Sequence, residues 1–399
     1  MSTADEKPTA GAVKPESPSA VAKHPTTTAV SHPPPAILLA LLFTGISAIA
    51  WRLMWYPMTH PSPLATLTLR NYCPEGAPPS DFLWFPASLG SWTTIVNDTL
   101  CLLTTCFELI LRSPWSEISF GTAPGGGGRE MSWQLLATVL PPLGVMYLEA
   151  ERPSASIWVK YPFVWGLAYQ NLGAGVVCPL YYFLLLVTSE PRAPVPSHRG
   201  EAVLVGLVLG YILPTVAMCY FEDYRITLAW QFFPLIMALF RDAWAFVRPA
   251  AAGEDPGYGD FWARMVQGLA LAIGGTVHLM AILEAAELDG GYAKMWIAWE
   301  RTFLPVEVPS PADAEGYLWH TVANFLKWDW IFIFITSYIT GIFAVAQTRT
   351  ARAKKELADI GTWTIMTGSF ILLGPAALLA GTWMWRDDIL WEEREGKRV

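Results

Sequence analysis

The sequence predicts an all-α fold: a polytopic transmembrane helix bundle of eight or nine spans. Three observations predict it. Of 399 residues, 53% are hydrophobic and only 15% are charged, against roughly 25% charged in an average soluble domain. Mean hydropathy is +0.34 along the whole chain, which is hard to hide inside one soluble core. The apolar residues also gather into long runs, and a helix needs about 20 of them to cross a bilayer.

The elements follow in order. Residues 1–35 are rich in Pro, Ser, Thr and Ala and show no periodicity, so they read as a disordered tail that cannot offset its own ordering entropy. The first apolar run starts only at Ala36 and no small-residue cleavage site follows. It reads as an uncleaved anchor rather than a signal peptide. Spans are expected at 36–56, 93–112, 132–150, 158–188, 201–220, 226–247, 262–286, 319–347 and 363–385. The fourth carries Gln170, Asn171, Gly173, Gly175 and Pro179, which makes it one long kinked helix or two short ones. A split there inverts everything that follows. The bundle thus covers 36–385, with a charged tail at 386–399. Loop Lys and Arg residues show a slight excess on the N-terminal side, the bias of a cytosolic N-terminus. Uncleaved spans without another targeting signal point to the endoplasmic reticulum.

Composition and motifs remove several functions. The charge of 26 basic and 34 acidic residues, −8 net, offers no basic stripe for nucleic acid. Five cysteines form no CxxC pair and read as small core residues rather than a disulfide framework or a zinc site. No metal or other cofactor is expected. The tract GTAPGGGGRE at 121–130 lacks the Lys-Ser/Thr ending of a phosphate loop. Six scattered histidines do not form the clusters of a di-iron desaturase, and Asn97-Asp98-Thr99-Leu100-Cys101 lacks the second aspartate of a diphosphate–magnesium site. Phe261-Trp262-Ala263-Arg264 is only a superficial echo of an acyltransferase block, although His320 with Asn324 keeps a trace of acyl transfer. No internal repeat supports a repeat-built transporter.

An ionisable side chain inside a span is costly and is a functional candidate by default. Alternating span direction puts Asp98, Glu149, Glu222, Asp223, Glu284, Lys327 and Asp329 toward the face opposite the N-terminus, with His278 a turn or two deeper. Each has a plainer reading. Glu149 and Glu284 sit within a turn of a span end, Glu222-Asp223-Tyr224-Arg225 makes a short polar turn, and a lone His278 suits a hydrogen-bonded core. Glu108 with Arg112, and Arg241 with Asp242, read as interfacial ion pairs. Lys327 and Asp329 are two apart and point away from each other on a helix, so each needs a partner elsewhere. Asp98, some five residues inside its span, is hardest to explain structurally. Aromatic residues crowd the ends of the same spans. An interfacial belt accounts for many of them, but aromatic faces beside buried acids also stabilise cations, by roughly 0.5–2 kcal/mol each. That combination suits an apolar substrate that passes through a carbocation.

The span layout, with the segments VWGLAYQNLGAGVVCPLYYFLLL (164–186) and LPTVAMCYFEDYRITLAWQFFPL (213–235), resembles fungal membrane-bound terpene cyclases of the ascofuranone and ascochlorin type over about residues 36–385. The resemblance implies an isomerase of a meroterpenoid pathway. Its substrate would be a hydrophobic prenylated aromatic with an epoxidised farnesyl chain, supplied by an upstream epoxidase and cyclised without metal or diphosphate loss. The site residues come from depth and side-chain chemistry. Asp98 is the expected proton donor, Glu222 or Asp223 the base or the group holding a phenol, and Glu149 and Asp329 the reserves. Trp165, Tyr169, Trp230 and Trp328 would line the cation path, with His278 and Asn324 completing the substrate-binding set. The alternative is a carrier or exporter of a hydrophobic metabolite, its acids forming a proton relay.

Overall fold

A computed structural model of the chain describes residues 36–60, 90, 92–111, 128–190, 193–221, 223–250, 256–288, 291–305 and 314–396. The expected tail at 1–35 and the candidate base Glu222 lie outside these residues. Among the described residues all regular structure is helical.

Helix α1 (Ala36–Thr59) is followed by α2 (Trp92–Leu111) and α3 (Gly128–Ala150). The segment expected at 158–188 divides at Gly173 into α4 (Pro162–Leu172) and α5 (Ala174–Thr188). Gly173 has φ 90°, a conformation glycine adopts without steric cost. Helix α6 (Ser197–Leu207) runs through a π-turn (Val208–Ile212) into α7 (Leu213–Phe221). The span expected at 226–247 is also broken, into α8 (Tyr224–Trp230) and α9 (Phe233–Val247). Pro234 stands in the first turn of α9, where its missing N–H does no harm but would cost an interior helix a hydrogen bond. Then come α10 (Pro256–Leu288), α11 (Met295–Phe303), α12 (Ala314–Gln347), α13 (Ala351–Ala358) and α14 (Ile360–Arg394).

Among the described residues, six helical stretches are long and apolar enough to cross a membrane: Ala36–Thr59, Glu130–Ala150, Ser197–Phe221, Gly259–Glu284, His320–Gln347 and Ile360–Arg394. Ala174–Thr188 is apolar but shorter. Six of the nine expected spans correspond to these stretches; those at 158–188 and 226–247 are broken at Gly173 and at residues 231–232, and that at 93–112 forms α2, which is not among the six.

Helix α3 is the central post, packed by α10, α14, α12, α6 and α2. Close packing elsewhere depends on glycine. A Cβ at Gly210 would fall 2.5 Å from the Met237 Cα, and one at Gly206 would fall 2.8 Å from the Met237 carbonyl oxygen. The Gly206–x3–Gly210 spacing therefore lets α6 and the π-turn lie against α9, as small residues do between membrane helices.

Helix α14 bends at Gly374 (φ 76°) and Pro375 and continues to Arg394 through the stretch read from sequence as the start of a charged tail. Arg386 and Asp387 are buried there. Arg386 Nη2 meets Glu149 at 2.5 Å and Asp387 at 2.6 Å, while Arg152 meets Glu149 at 2.9 Å and Asp387 at 3.0 Å. Two guanidiniums and two carboxylates thus satisfy one another, which is how a charge survives burial. The cysteine expectation needs one correction. Cys106, Cys178 and Cys219 are thiols outside any disulfide, but Cys101 is disulfide-bonded, its partner lying outside the described residues.

Candidate active site

The break at Gly173 exposes the N-terminus of α5, whose first N–H groups lack helical partners. Asp329 of α12 fills that role. Its Oδ1 accepts the Gly175 N–H at 2.5 Å, and the Ala174 N–H also donates to this carboxyl. Glycine is required for this approach. A Cβ at Gly173 or Gly175 would lie 3.1 Å from Asp329 Oδ1, and at Gly175 it would also press on Phe332.

The carboxyl borders a cavity of about 100 Å³. Asp329 is the one acid among the described residues that line it. Position follows helical spacing: Val322, Phe325, Leu326 and Asp329 present one face of α12 to the cavity, and Leu102, Leu103, Cys106 and Phe107 one face of α2. From α4 come Tyr169, Gln170 and Asn171. The Tyr169 hydroxyl is buried and meets no hydrogen-bond partner among the described residues. Gln170 donates to Gln231 Oε1 at 3.3 Å, and Asn171 to the Leu167 carbonyl at 2.7 Å.

The far wall is aromatic. The Trp230 ring lies 5.0 Å from both Phe107 and Phe233 and 6.2 Å from Tyr211. Tyr211 meets Phe233 edge-on at 4.7 Å. Trp55 and Phe325 close the other end, also edge-on, at 5.3 Å. The chamber therefore joins one carboxyl, held at a helix N-terminus, to several aromatic faces.

Of the residues expected from sequence, Asp329, Tyr169 and Trp230 meet here. The others do not line this cavity. Asp98 is exposed on α2, because residues 100, 101 and 104 rather than 98 form the buried face of that helix. Glu149 belongs to the ion cluster with Arg152 and Arg386. Asp223 caps α8 by accepting the Arg225 N–H at 2.7 Å. Trp165 donates to the Trp158 carbonyl at 2.8 Å and meets Tyr181 edge-on. His278 is buried and stacks on Phe303 at 5.5 Å; Gly374 leaves room for its ring. Asn324 is buried on another face of α12, and Trp328 lies against Phe332. Lys327 donates to the Leu304 carbonyl at 3.0 Å, and Arg241 pairs with Asp242 at 2.8 Å. Sequence reasoning missed Tyr211, Phe107, Trp55 and Phe325, although spacing alone puts Phe325 on the face of Asp329.

The chain is 24% identical over 282 residues to the terpene cyclase ascI of Acremonium egyptiacum, which covers 63% of this chain and 70% of that protein. It is 23% identical over 278 residues to the terpene cyclase rstn5 of Aspergillus nomiae, covering 66% and 74%. A third relative is the FAD-dependent monooxygenase verC1 of Penicillium polonicum, 24% identical over 274 residues. There the match spans 62% of this chain but only 31% of the longer protein. No solved structure matches. The family model of the CtvD domain matches residues 131–391, which run from α3 into α14 and include Tyr169, Tyr211, Trp230 and Asp329. The chain belongs to the CtvD-domain family.

Proposed function

We propose that this chain is an integral-membrane terpene cyclase that protonates the epoxidised prenyl chain of a prenylated aromatic compound and closes a ring through a carbocation. The observation that carries the reading is Asp329, the one acid among the described residues of the aromatic chamber, seated on the N-terminus of α5. Its terpene cyclase relatives and its apolar helices support the same reading.

In this mechanism Asp329, protonated, gives its proton to the epoxide oxygen. The bond from oxygen to the more substituted carbon breaks, leaving a hydroxyl and a tertiary cation. An alkene or a hydroxyl of the substrate attacks the cation and forms the ring. A proton then leaves the product and returns to Asp329, so product and substrate have equal mass. The Gly175 and Ala174 N–H groups hold the carboxylate while it is charged, as helix N-termini hold anions. The faces of Trp230, Tyr211, Phe233 and Phe107 offset the positive charge, and the apolar walls exclude water that would quench the cation. Asp98 and Asp223 have no part in it, since one is exposed and the other caps a helix.

The substrate must come from an oxidation that installs an epoxide. A monooxygenase that carries a segment homologous to this chain is in keeping with such a supplier. The endoplasmic reticulum is the proposed location. The test is to incubate microsomes containing the protein with an epoxyfarnesyl phenol. The reading predicts an isomer of unchanged mass and shifted retention. Recovery of the epoxide unaltered, with the protein inserted, would point instead to a carrier.

A further inference from the structure

The Asp329 chamber, at about 100 Å³, is smaller than the ~150 Å³ cavity that takes a single benzene ring. It has room for the reacting end of a substrate and no more. A second hollow of about 400 Å³ adjoins it, between α3, α7 and α10. Its walls include Ala137, Leu140, Ile273 and Val277, with Thr215 and Cys219, and among the described residues no charged side chain lines it. Leu136 and Tyr211 belong to both hollows. Tyr211 donates its hydroxyl to the Leu136 carbonyl at 2.7 Å, and Trp230 on the chamber side donates to Thr215 on the groove side at 2.8 Å. These two bonds make the partition. The π-turn at Val208–Ile212 presents Tyr211 to it, and such turns recur at functional sites. At its outer end the groove is bordered by Val216 and Tyr220, exposed by 57% and 78% on the outer face of α7.

We propose that this groove seats the inner isoprenoid units of the substrate, admitted from the bilayer beside α7, and that Tyr211 is the partition the chain displaces to bring its far end to Asp329. The size of the groove then sets the chain length accepted. The chemical identity of the occupant rests on the cyclase reading. The argument for it is the match of an uncharged wall to a hydrocarbon chain, and the continuity of the groove with a chamber too small for the whole molecule.

The test uses membranes containing the full chain and a non-epoxidised farnesyl phenol carrying a diazirine in an inner isoprene unit, with adducts mapped by mass spectrometry. Adducts are expected on α7 and near Ile273 and Val277, displaced by unlabelled farnesyl phenol. Cys219→Trp, which fills the groove and denies contact to about two methylenes, is expected to weaken labelling about tenfold. Val216→Trp at the exposed mouth does the same without touching the interior. Adducts confined to α2 and α12, or labelling unchanged in both variants, would overturn the proposal. Displacement by phospholipid as readily as by farnesyl phenol would also overturn it and make the groove a lipid seat. Because the probe cannot be cyclised, groove labelling without epoxide turnover refutes only the cyclase reading. Turnover without groove labelling refutes only this inference.

Discussion

Asp329 accepts the backbone N–H of Gly175 at 2.5 Å, across 154 positions of sequence. This bond fastens α12 to the broken start of α5 and turns the acid toward the aromatic wall. The chamber therefore depends on a break in a helix as much as on the carboxyl itself.

The glycine at the break should be irreplaceable. In Gly173→Ala the new methyl clashes with Met54 and crowds Asp329 Oδ1, at a φ of 90° that costs other residues roughly 1–3 kcal/mol. Turnover should fall about 100-fold, the scale of a 1 Å misplacement of a reacting group. Gly268→Ala is the control, since a Cβ there meets nothing within 4 Å. Equal turnover of the two variants would refute the positioning role.

Tyr169 should behave as a binding residue rather than a structural one. Its hydroxyl is buried without a partner among the described residues, an arrangement that costs about 1–3 kcal/mol. Tyr169→Phe should melt in detergent at the same temperature as the parent or higher, while kcat/KM falls about tenfold for loss of one hydrogen bond to substrate. A lower melting temperature with unchanged kinetics would contradict this.

The ion cluster should govern stability and leave the chemistry alone. Glu149→Gln leaves Arg152 and Arg386 with Asp387 as the remaining carboxylate of the cluster. Breaking such a buried set costs about 3–5 kcal/mol. Thermal unfolding should shift down markedly, and the protein that remains folded should keep the parental kcat. Normal stability with lost turnover would instead place Glu149 in the reaction.

The sequence made the long helices and the interruption near Gly173 legible, because apolar run length and glycine chemistry are local properties. The acid was harder to rank. Asp98 stands deeper in its apolar run than Glu149, but depth along a helix says nothing about the direction a side chain takes around it, and residues 100, 101 and 104 claim the buried face. Asp329 shares a helical face with Val322, Phe325 and Leu326, a signal present in the sequence. The N–H groups that complete its environment come from a helix 154 residues away, and no local pattern announces such a meeting. The same holds for Arg386, whose charge suggests a solvated tail until Glu149 is seen beside it.

Tyr211 gives a prediction about selectivity. Tyr211→Phe removes the bond to the Leu136 carbonyl while keeping the ring against Phe233 and Trp230. Epoxidised prenyl phenols one isoprene unit longer than the preferred substrate should gain in relative kcat/KM by about tenfold, the value of one hydrogen bond holding the partition shut. An unchanged ranking of chain lengths would show that Tyr211 does not restrict passage.

The central claim is that Asp329 supplies the proton, and the most direct measurement is single-turnover conversion of an epoxyfarnesyl phenol by Asp329→Asn beside Asp98→Asn in the same microsomes. The amide keeps the shape of the side chain and can still accept the Gly175 N–H, but it has no acid proton to give. Asp329→Asn should lose about 10²–10⁴-fold in rate, the contribution of a positioned general acid, and Asp98→Asn should match the parent. Full turnover by Asp329→Asn would contradict the assignment, and a collapse confined to Asp98→Asn would move the acid to α2.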